Sequence, residues 1–291
     1  MKKLLLVLST ILGLGLLASC GGDKAEKVLR YTAIPDQNTT ELQQRFAPLT
    51  EHLSRELGVA VEYVPSRDYQ ASVEMFRAGD IQLAWFGGLT GVQARAAVPG
   101  ASAIAQGEVD PQYYSYFIAH RETGLEMGDS FPAGMADYAF TFGSESSTSG
   151  RLMPEFFIKE NTGKQPSEFF TKGFSFSGSH DKTVAMVESG RFPCGVVNYK
   201  VYDKRVAEGK TDPEVCRVIW KTPVYADYNF TAHPDLELLF GTDFTDKLQT
   251  VLTEISDEKL LSALPRKKLI PATDEEFEGI AKVARQLGML R

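Results

Sequence analysis

The sequence predicts an α/β protein of two lobes with a ligand cleft between them. Three observations lead there. Strand-like and helix-like segments alternate along most of the chain, as they do in repeated βαβ units with mostly parallel sheets covered on both faces. The strand candidates fall into two successive sets, within residues 29–86 and 113–221. The chain has 291 residues, 272 of them beyond residue 19, a length that suits two lobes better than one compact core.

The N-terminus reads as an export signal rather than as part of the fold. Met1-Lys2-Lys3 is basic, and residues 4–17 are almost uninterruptedly apolar. That run is shorter than the roughly 20 residues of a membrane span. It ends in Leu17-Ala18-Ser19-Cys20, which resembles the lipobox of bacterial lipoprotein signals. This resemblance implies cleavage after Ser19 and a lipid on Cys20. Residues 20–27 then form a polar tether that holds a soluble domain at a membrane surface. Loss of Lys2 and Lys3 takes the formal net charge from −7 to −9. Such a surface speaks against a nucleic-acid partner. It also means that local geometry must hold any anion, because the global field repels one.

Residues 29–34 form a short apolar strand. Asn38-Thr39-Thr40-Glu41 offers caps for a helix carried by Phe46, Leu49, Leu53 and Leu57 and ended by Gly58. Residues 59–64 are rich in β-branched side chains and stop at Pro65; helical spacing returns at Tyr69, Val73 and Phe76. Residues 81–86 are the next strand, and Gly87-Gly88 opens a helix. Further strands are expected at 113–119, 138–142, 174–176, 194–197 and 215–221, with helices near 150–160 and 180–190. The last third is helical, most clearly at 244–255 and 275–287. One lobe is expected to take residues 28–112 and 229–291, and the other residues 113–228.

Cys194 and Cys216 lie in strand-like segments of the same half. Export allows them to pair, and a disulfide and two buried free thiols both fit. The four histidines form no close-spaced cluster with cysteine or one another, so no metal site is expected.

In open α/β sheets, ligands sit beyond the carboxyl ends of the strands, where helix N-termini gather. Two strand-to-helix junctions carry suitable chemistry. The first is Gly143-Ser144-Glu145-Ser146-Ser147-Thr148-Ser149-Gly150-Arg151. The first amides of a helix have no internal partner and carry a partial positive charge, so they suit an oxyanion. The hydroxyls of Ser147, Thr148 and Ser149 add donors. The same residues also suit a hydroxyl-rich helix cap. Pro154 blurs the helix start, because it lacks a donor. The second junction is Ser177-Gly178-Ser179-His180. There His180 either donates into the crevice or sits exposed behind a Ser179 cap. Asp68-Tyr69 and Trp85-Phe86 bring aromatic groups towards the cleft, with Trp85 expected in the core. In the loop Thr222-Pro223-Val224-Tyr225-Ala226-Asp227, Asp227 makes sense beside an anion if it accepts a proton from the ligand.

At these residues the sequence resembles the phosphonate-binding proteins of bacterial ABC importers, a branch of the periplasmic binding-protein superfamily. The resemblance runs through Val64-Pro65, Asp68-Tyr69, Leu83-Ala84-Trp85-Phe86-Gly87, Ser147-Thr148-Ser149-Gly150, Gly178-Ser179-His180 and Thr222-Pro223. It implies a type II two-lobed fold, no cofactor, and partnership with a permease and its ATPase. It places Ser147, Thr148, Ser149 and His180 on the ligand oxygens, adds the hydroxyl of Tyr69, and makes Asp227 the proton acceptor. Phe86 stands where the family has a pocket tyrosine, so that hydroxyl is lost. Binders of aminoalkylphosphonates carry an acidic residue where this chain has Val201 beside Lys200, so a cationic tail would lack a partner here. A small oxyanion such as phosphite or methylphosphonate is therefore expected, bound by a monomer. A subgroup of selenate binders is similar around Trp85-Phe86-Gly87-Gly88 and Tyr225-Ala226-Asp227-Tyr228-Asn229, which keeps selenate as the alternative. A sensing lobe shares every one of these features. An exported phosphoester hydrolase acting through Ser147 or Ser149 lacks a Gly-x-Ser-x-Gly elbow or a metal cluster, and no enzyme is expected.

Overall fold

The computed structural model describes residues 27–290. The expected signal 1–19, Cys20 and the expected tether up to residue 26 lie outside the described residues.

The chain begins with β1 (Val28–Ala33), α1 (Thr39–Leu57), β2 (Ala60–Tyr63), α2 (Tyr69–Arg77), β3 (Leu83–Phe86), α3 (Gly88–Ala97) and β4 (Ser102–Gly107). Asn38 caps α1 by accepting the amides of Thr40 and Glu41. Leu42, Phe46, Leu49, Leu53 and Leu57 form its buried face, and Gly58 ends it in the left-handed conformation. The chain then crosses into β5 (Ser115–His120), β6 (Phe140–Phe142), α4 (Met153–Thr162), α5 (Pro166–Phe169), β7 (Phe174–Phe176), α6 (His180–Glu188), β8 (Cys194–Asn198), α7 (Tyr199–Ala207) and β9 (Cys216–Lys221). It returns through β10 (Asn229–Ala232), α8 (Asp235–Phe240), α9 (Phe244–Thr253), β11 (Leu269–Pro271) and α10 (Glu278–Gln286).

Two sheets result. One has six strands in the order β11-β4-β10-β3-β1-β2, and the other five in the order β7-β6-β8-β5-β9. Neither is mostly parallel, which corrects the expectation from sequence. Parallel pairing joins β1 to β2 and β3, and β6 to β7 and β8. The other pairs are antiparallel: β10 with β3 and β4, β11 with β4, and β5 with β8 and β9. Four of these five pairs contain β5 or β10. Strands β5 and β10, the first of each return to a sheet, insert against the direction of their new neighbours.

The two crossing segments lie side by side. Tyr113 and Tyr225 exchange backbone hydrogen bonds at 2.8 and 2.9 Å, and the Asp227 amide donates to the Asp110 carbonyl at 3.0 Å. This narrow two-stranded connection is the natural hinge between the lobes, and it carries Asp227.

Cys194 and Cys216 are both buried and free. They do not pair because β5 separates them: Cys194 lies opposite Ala119 and Cys216 opposite His120. Strands two apart are about 10 Å from each other, beyond the roughly 7 Å limit for a disulfide, and neighbouring residues of β5 face opposite sides. Burial pushes both thiols up to about 12.

Candidate functional site

Strand β3 stops at Phe86 and α3 starts at Gly88 with no side chain capping it. Its first two amides are taken by other parts of the chain. Gly88 donates to Asp227 Oδ1 at 2.9 Å, and Leu89 donates across the cleft to Thr148 Oγ1 at 3.0 Å. Gly87 permits this approach: a Cβ there would lie 3.1 Å from Thr148 Oγ1 and 3.2 Å from Asp227 Oδ1.

Facing α3 is the hydroxyl-rich segment after β6. Its helix opens with a wide turn, Thr148–Leu152, before α4 begins at Met153. Leu152 donates to the Ser147 carbonyl and Met153 to the Thr148 carbonyl, each five residues back. Pro154 explains how this is tolerated. Its missing amide leaves the carbonyls of Ser149 and Gly150 short of a helical donor, and other groups supply one. Ser115 Oγ donates to Ser149 at 2.7 Å, and the Gly143 amide donates to Gly150 at 2.9 Å. Gly143 and Gly150 can meet only because both lack a Cβ; one added at either would come within 3.2 Å of the other's Cα. Ser147 caps the turn by accepting the Gly150 amide at 2.9 Å. Ser147, Thr148 and Ser149 are all buried. Arg151, next in sequence, lies over the rings of Phe142, Phe174 and Phe176 and pairs with Glu155 at 2.6 Å.

His180, the first residue of α6, is 1% exposed rather than a surface residue behind a cap. The Ser179 side chain makes no capping bond; its hydroxyl donates to Asp181. The His180 amide donates to the Asp36 carbonyl at 3.0 Å. Its Nδ1 accepts the Asn198 amide at 3.3 Å, which places the ring proton on Nε2, 3.5 Å from Ser149 Oγ. Burial, only partly opposed by Asp181, pulls His180 down to about 4. The ring is therefore a neutral N–H donor at physiological pH.

Asp227 and Tyr69 complete the arrangement. Burial pushes the Asp227 carboxyl up to about 7. The Gly88 amide and the hydroxyls of Thr148 and Ser149 pull it back, while Asp110 adds to the rise. Asp227 Oδ2 and the Tyr69 hydroxyl are buried and make no hydrogen bond among the described residues. Tyr69 starts α2, and its hydroxyl neighbours Ser147, Asp36 and Asp227. One orphaned donor and one orphaned acceptor thus lie near the buried hydroxyls of Ser147, Thr148 and Ser149, with the neutral imidazole of His180 next to Ser149. Such a set can surround a tetrahedral oxyanion without a cation and accept one proton from it.

Phe86 stands apart from this group. Its ring packs edge-on against Phe76 of α2 at 5.6 Å. Strand alternation puts its neighbour Trp85 on the other side, stacked on Tyr228 at 5.6 Å. Trp85 is buried as expected, but it lines a cavity of about 10 Å³ together with Asp36, Tyr113, Asn198, Val201, Tyr228 and Arg266. Four of these, Asp36, Asn198, Tyr228 and Arg266, were not among the expected ligand residues, although Tyr228 lies in the segment Tyr225–Asn229 that resembles the selenate binders.

Two α/β lobes, joined by two crossings and meeting over a buried set of anion-directed donors, define a two-lobed periplasmic binding protein. The chain belongs to the ABC transporter, phosphonate, periplasmic substrate-binding protein family, whose model matches residues 31–277. The probable ABC transporter phosphite binding protein PhnD1 of Prochlorococcus marinus (strain MIT 9301) is 38% identical over 272 residues, 91% of each chain. The structure of PhnD1 in complex with methylphosphonate aligns with a TM-score of 0.85, covering 91% of this chain and 99% of that one. The phosphate-import protein PhnD of Mycolicibacterium smegmatis is 27% identical over 310 residues, 93% of this chain and 92% of the relative. A binding protein component of an ABC phosphonate transporter from Pseudomonas aeruginosa, 19% identical, shares the fold with a TM-score of 0.77, covering 89% and 85%.

Proposed function

We propose that this chain is the receptor of an ABC importer for a small phosphite- or methylphosphonate-type oxyanion. It presents the closed form to a permease and its ATPase and makes or breaks no covalent bond. The observation that supports the reading best is the pair of buried orphaned atoms, Tyr69 Oη and Asp227 Oδ2, the latter on a carboxyl whose Oδ1 holds the first amide of α3. Ser147, Thr148, Ser149, His180 and Tyr69 are the donors to the ligand, and Asp227 takes its proton. Phe86 supports the wall from the core of its lobe. The adjoining cavity, with space for about one water, suits a hydrogen or methyl substituent. Arg266 and Lys200 on its lining disfavour an amine tail. The working unit is a monomer, exported and held at the membrane by a lipid on Cys20.

Selenate is a second reading. A carboxyl raised to about 7 is mostly neutral below that pH and tolerates a fully ionised dianion. At pH 8 Asp227 is charged and favours a ligand that brings its own proton. A phosphate-type group, with its second pKa of about 6, can do so; selenate cannot.

Thermal shift and calorimetry at pH 8 with phosphite, methylphosphonate, phosphate, sulfate and selenate separate these readings. A ligand at 100 times its Kd adds about 2.7 kcal/mol of apparent stability. Thr148→Ala and His180→Ala should each weaken binding by about 1–3 kcal/mol. Absence of any response to phosphite and methylphosphonate, or unaltered affinity in both variants, overturns the assignment. A response to selenate alone selects the second reading.

A further inference from the structure

A ring of hydrogen bonds runs behind the candidate site and links both lobes with the second crossing. Asp36, in the loop between β1 and α1, accepts the His180 amide on its carbonyl at 3.0 Å. Its carboxylate Oδ2 accepts the hydroxyl of Tyr228 at 2.9 Å. That hydroxyl in turn accepts Asn198 Nδ2 at 2.9 Å. The Asn198 amide donates to His180 Nδ1 at 3.3 Å, which closes the circuit. Asp36 belongs to the six-stranded lobe, His180 and Asn198 to the five-stranded lobe, and Tyr228 to the second crossing. Asn198 is held independently, because its Oδ1 caps α7 through the Val201 amide at 2.8 Å. Tyr228 is held by stacking on Trp85 and by the Arg266 guanidinium 5.0 Å above its ring.

We propose that Asp36 is a closure latch: a positioning residue that touches no ligand, holds the lobes together, and completes the circuit that joins the start of α6 to Tyr228. The inference rests on the receptor reading above. The Asp36–His180 bond joins the two lobes and the Tyr228–Asn198 bond joins the second crossing to the five-stranded lobe, while the Asn198–His180 bond lies within one lobe. Closure therefore adds the Asp36 carbonyl to an α6 terminus whose imidazole already presents Nε2–H to the ligand side. Arg266 and Lys200 line the same cavity as Asp36, Asp181 lies on the α6 side, and Gln37 is its neighbour. Burial pushes the Asp36 carboxyl up to about 6, with Tyr228 and Arg266 drawing it back and Asp181 opposing them. Opening the lobes would return this carboxylate to water. The Tyr228 hydroxyl is what makes its enclosure tolerable.

A ligand bound to a closed form leaves when the lobes open, so loss of a latch acts on dissociation. The test uses the mature chain with methylphosphonate as probe, stopped-flow kinetics, and small-angle scattering with and without ligand. Asp36→Ala and Tyr228→Phe should each raise the dissociation rate about tenfold with little change in association, and shift the scattering of the liganded protein towards the open form. The double variant should be no worse than either single one, because one circuit is broken in each. Asp36→Asn keeps an oxygen acceptor and should stay near wild type. Tyr228→Phe removes one atom and keeps its stacking, so it stands if Asp36→Ala folds poorly. Dissociation rates unchanged in Tyr228→Phe, or effects that add in the double variant, overturn the latch while wild-type binding preserves the receptor reading. A wild-type protein that binds no methylphosphonate, phosphite or selenate overturns both.

Discussion

Asp227 offers a carboxylate whose two oxygens fare differently: Oδ1 holds the Gly88 amide, and Oδ2 holds nothing from the described residues. An aspartate in the unfolded chain titrates near 4, and burial carries this one to about 7. Between those values the native state binds the extra proton, so its stability falls as pH rises through about 4 to 7. His180, lowered to about 4, acts in the opposite sense: below about 6.5 the unfolded chain binds the proton, and stability is lost as pH falls. Asp227→Asn removes the first contribution alone. Its gain in Tm should be small at pH 5 and larger at pH 8, and a gain equal at both pH values would contradict the burial argument. The same variant lifts the repulsion of a dianion. At pH 8 the affinity for selenate relative to methylphosphonate should rise about tenfold, or about 1.4 kcal/mol, by calorimetry.

At the scale of elements, the wide turn Thr148–Leu152 with its cap Ser147 holds three buried hydroxyls in succession, and it exists because Gly143 and Gly150 let two backbone segments touch. A Cβ on Gly150 would meet Ser147 Oγ at 3.0 Å and both Gly143 Cα and His180 Cε1 at 3.1 Å. One of those neighbours is backbone and cannot swing aside. Gly150→Ala should lower stability by about 1–3 kcal/mol in urea and weaken methylphosphonate binding by moving Ser147. Gly279→Ala, on the open face of α10, is the control: nothing lies within 4 Å of its added Cβ. Equal behaviour of the two variants would refute the close-contact argument. The sequence made the hydroxyl-rich segment recognisable because cap chemistry is local: hydroxyls, glycine and a following apolar pattern stand next to one another. The helix faces of α1 and α2 were readable for the same reason. β4, written Ser-Ala-Ile-Ala-Gln-Gly, has too few β-branched residues to announce itself. α7 carries tyrosines and valines that read equally well as strand. Antiparallel insertion of β5 and β10 depends on where the chain crosses, which no local window records. The Asp36–Tyr228 contact joins residues 192 positions apart, so its partners could not be matched from the sequence.

The whole molecule is governed by its two crossings, and the C-terminal third returns to brace them. Arg266 reaches back to the first crossing and pairs with Asp110, Nε lying 2.9 Å from Oδ2 and 3.0 Å from Oδ1. Nη1 donates to the Leu264 carbonyl at 2.6 Å. The guanidinium lies 5.0 to 5.7 Å from the ring centroids of Tyr228, Tyr113 and Trp85, which come from both crossings and from β3. Burial opposes the charge on Arg266, and Asp110 with Tyr113 more than offsets it, so the guanidinium stays charged. The pair is almost wholly out of water, with side chains 2% and 0% exposed. Two charges enclosed in this way add little net stability against an apolar replacement, but either one left alone is expensive. Arg266→Met should therefore lower unfolding stability by about 3–5 kcal/mol, because it abandons the Asp110 carboxylate in the hinge. Adding Asp110→Asn should recover part of that loss, since an amide carries no charge to desolvate and can still accept the Gly107 amide that Asp110 now holds at 2.7 Å. Urea unfolding of the two variants decides the matter. A double variant at least as unstable as Arg266→Met would mean that the arginine braces the hinge through its packing on the three rings and not through its charge.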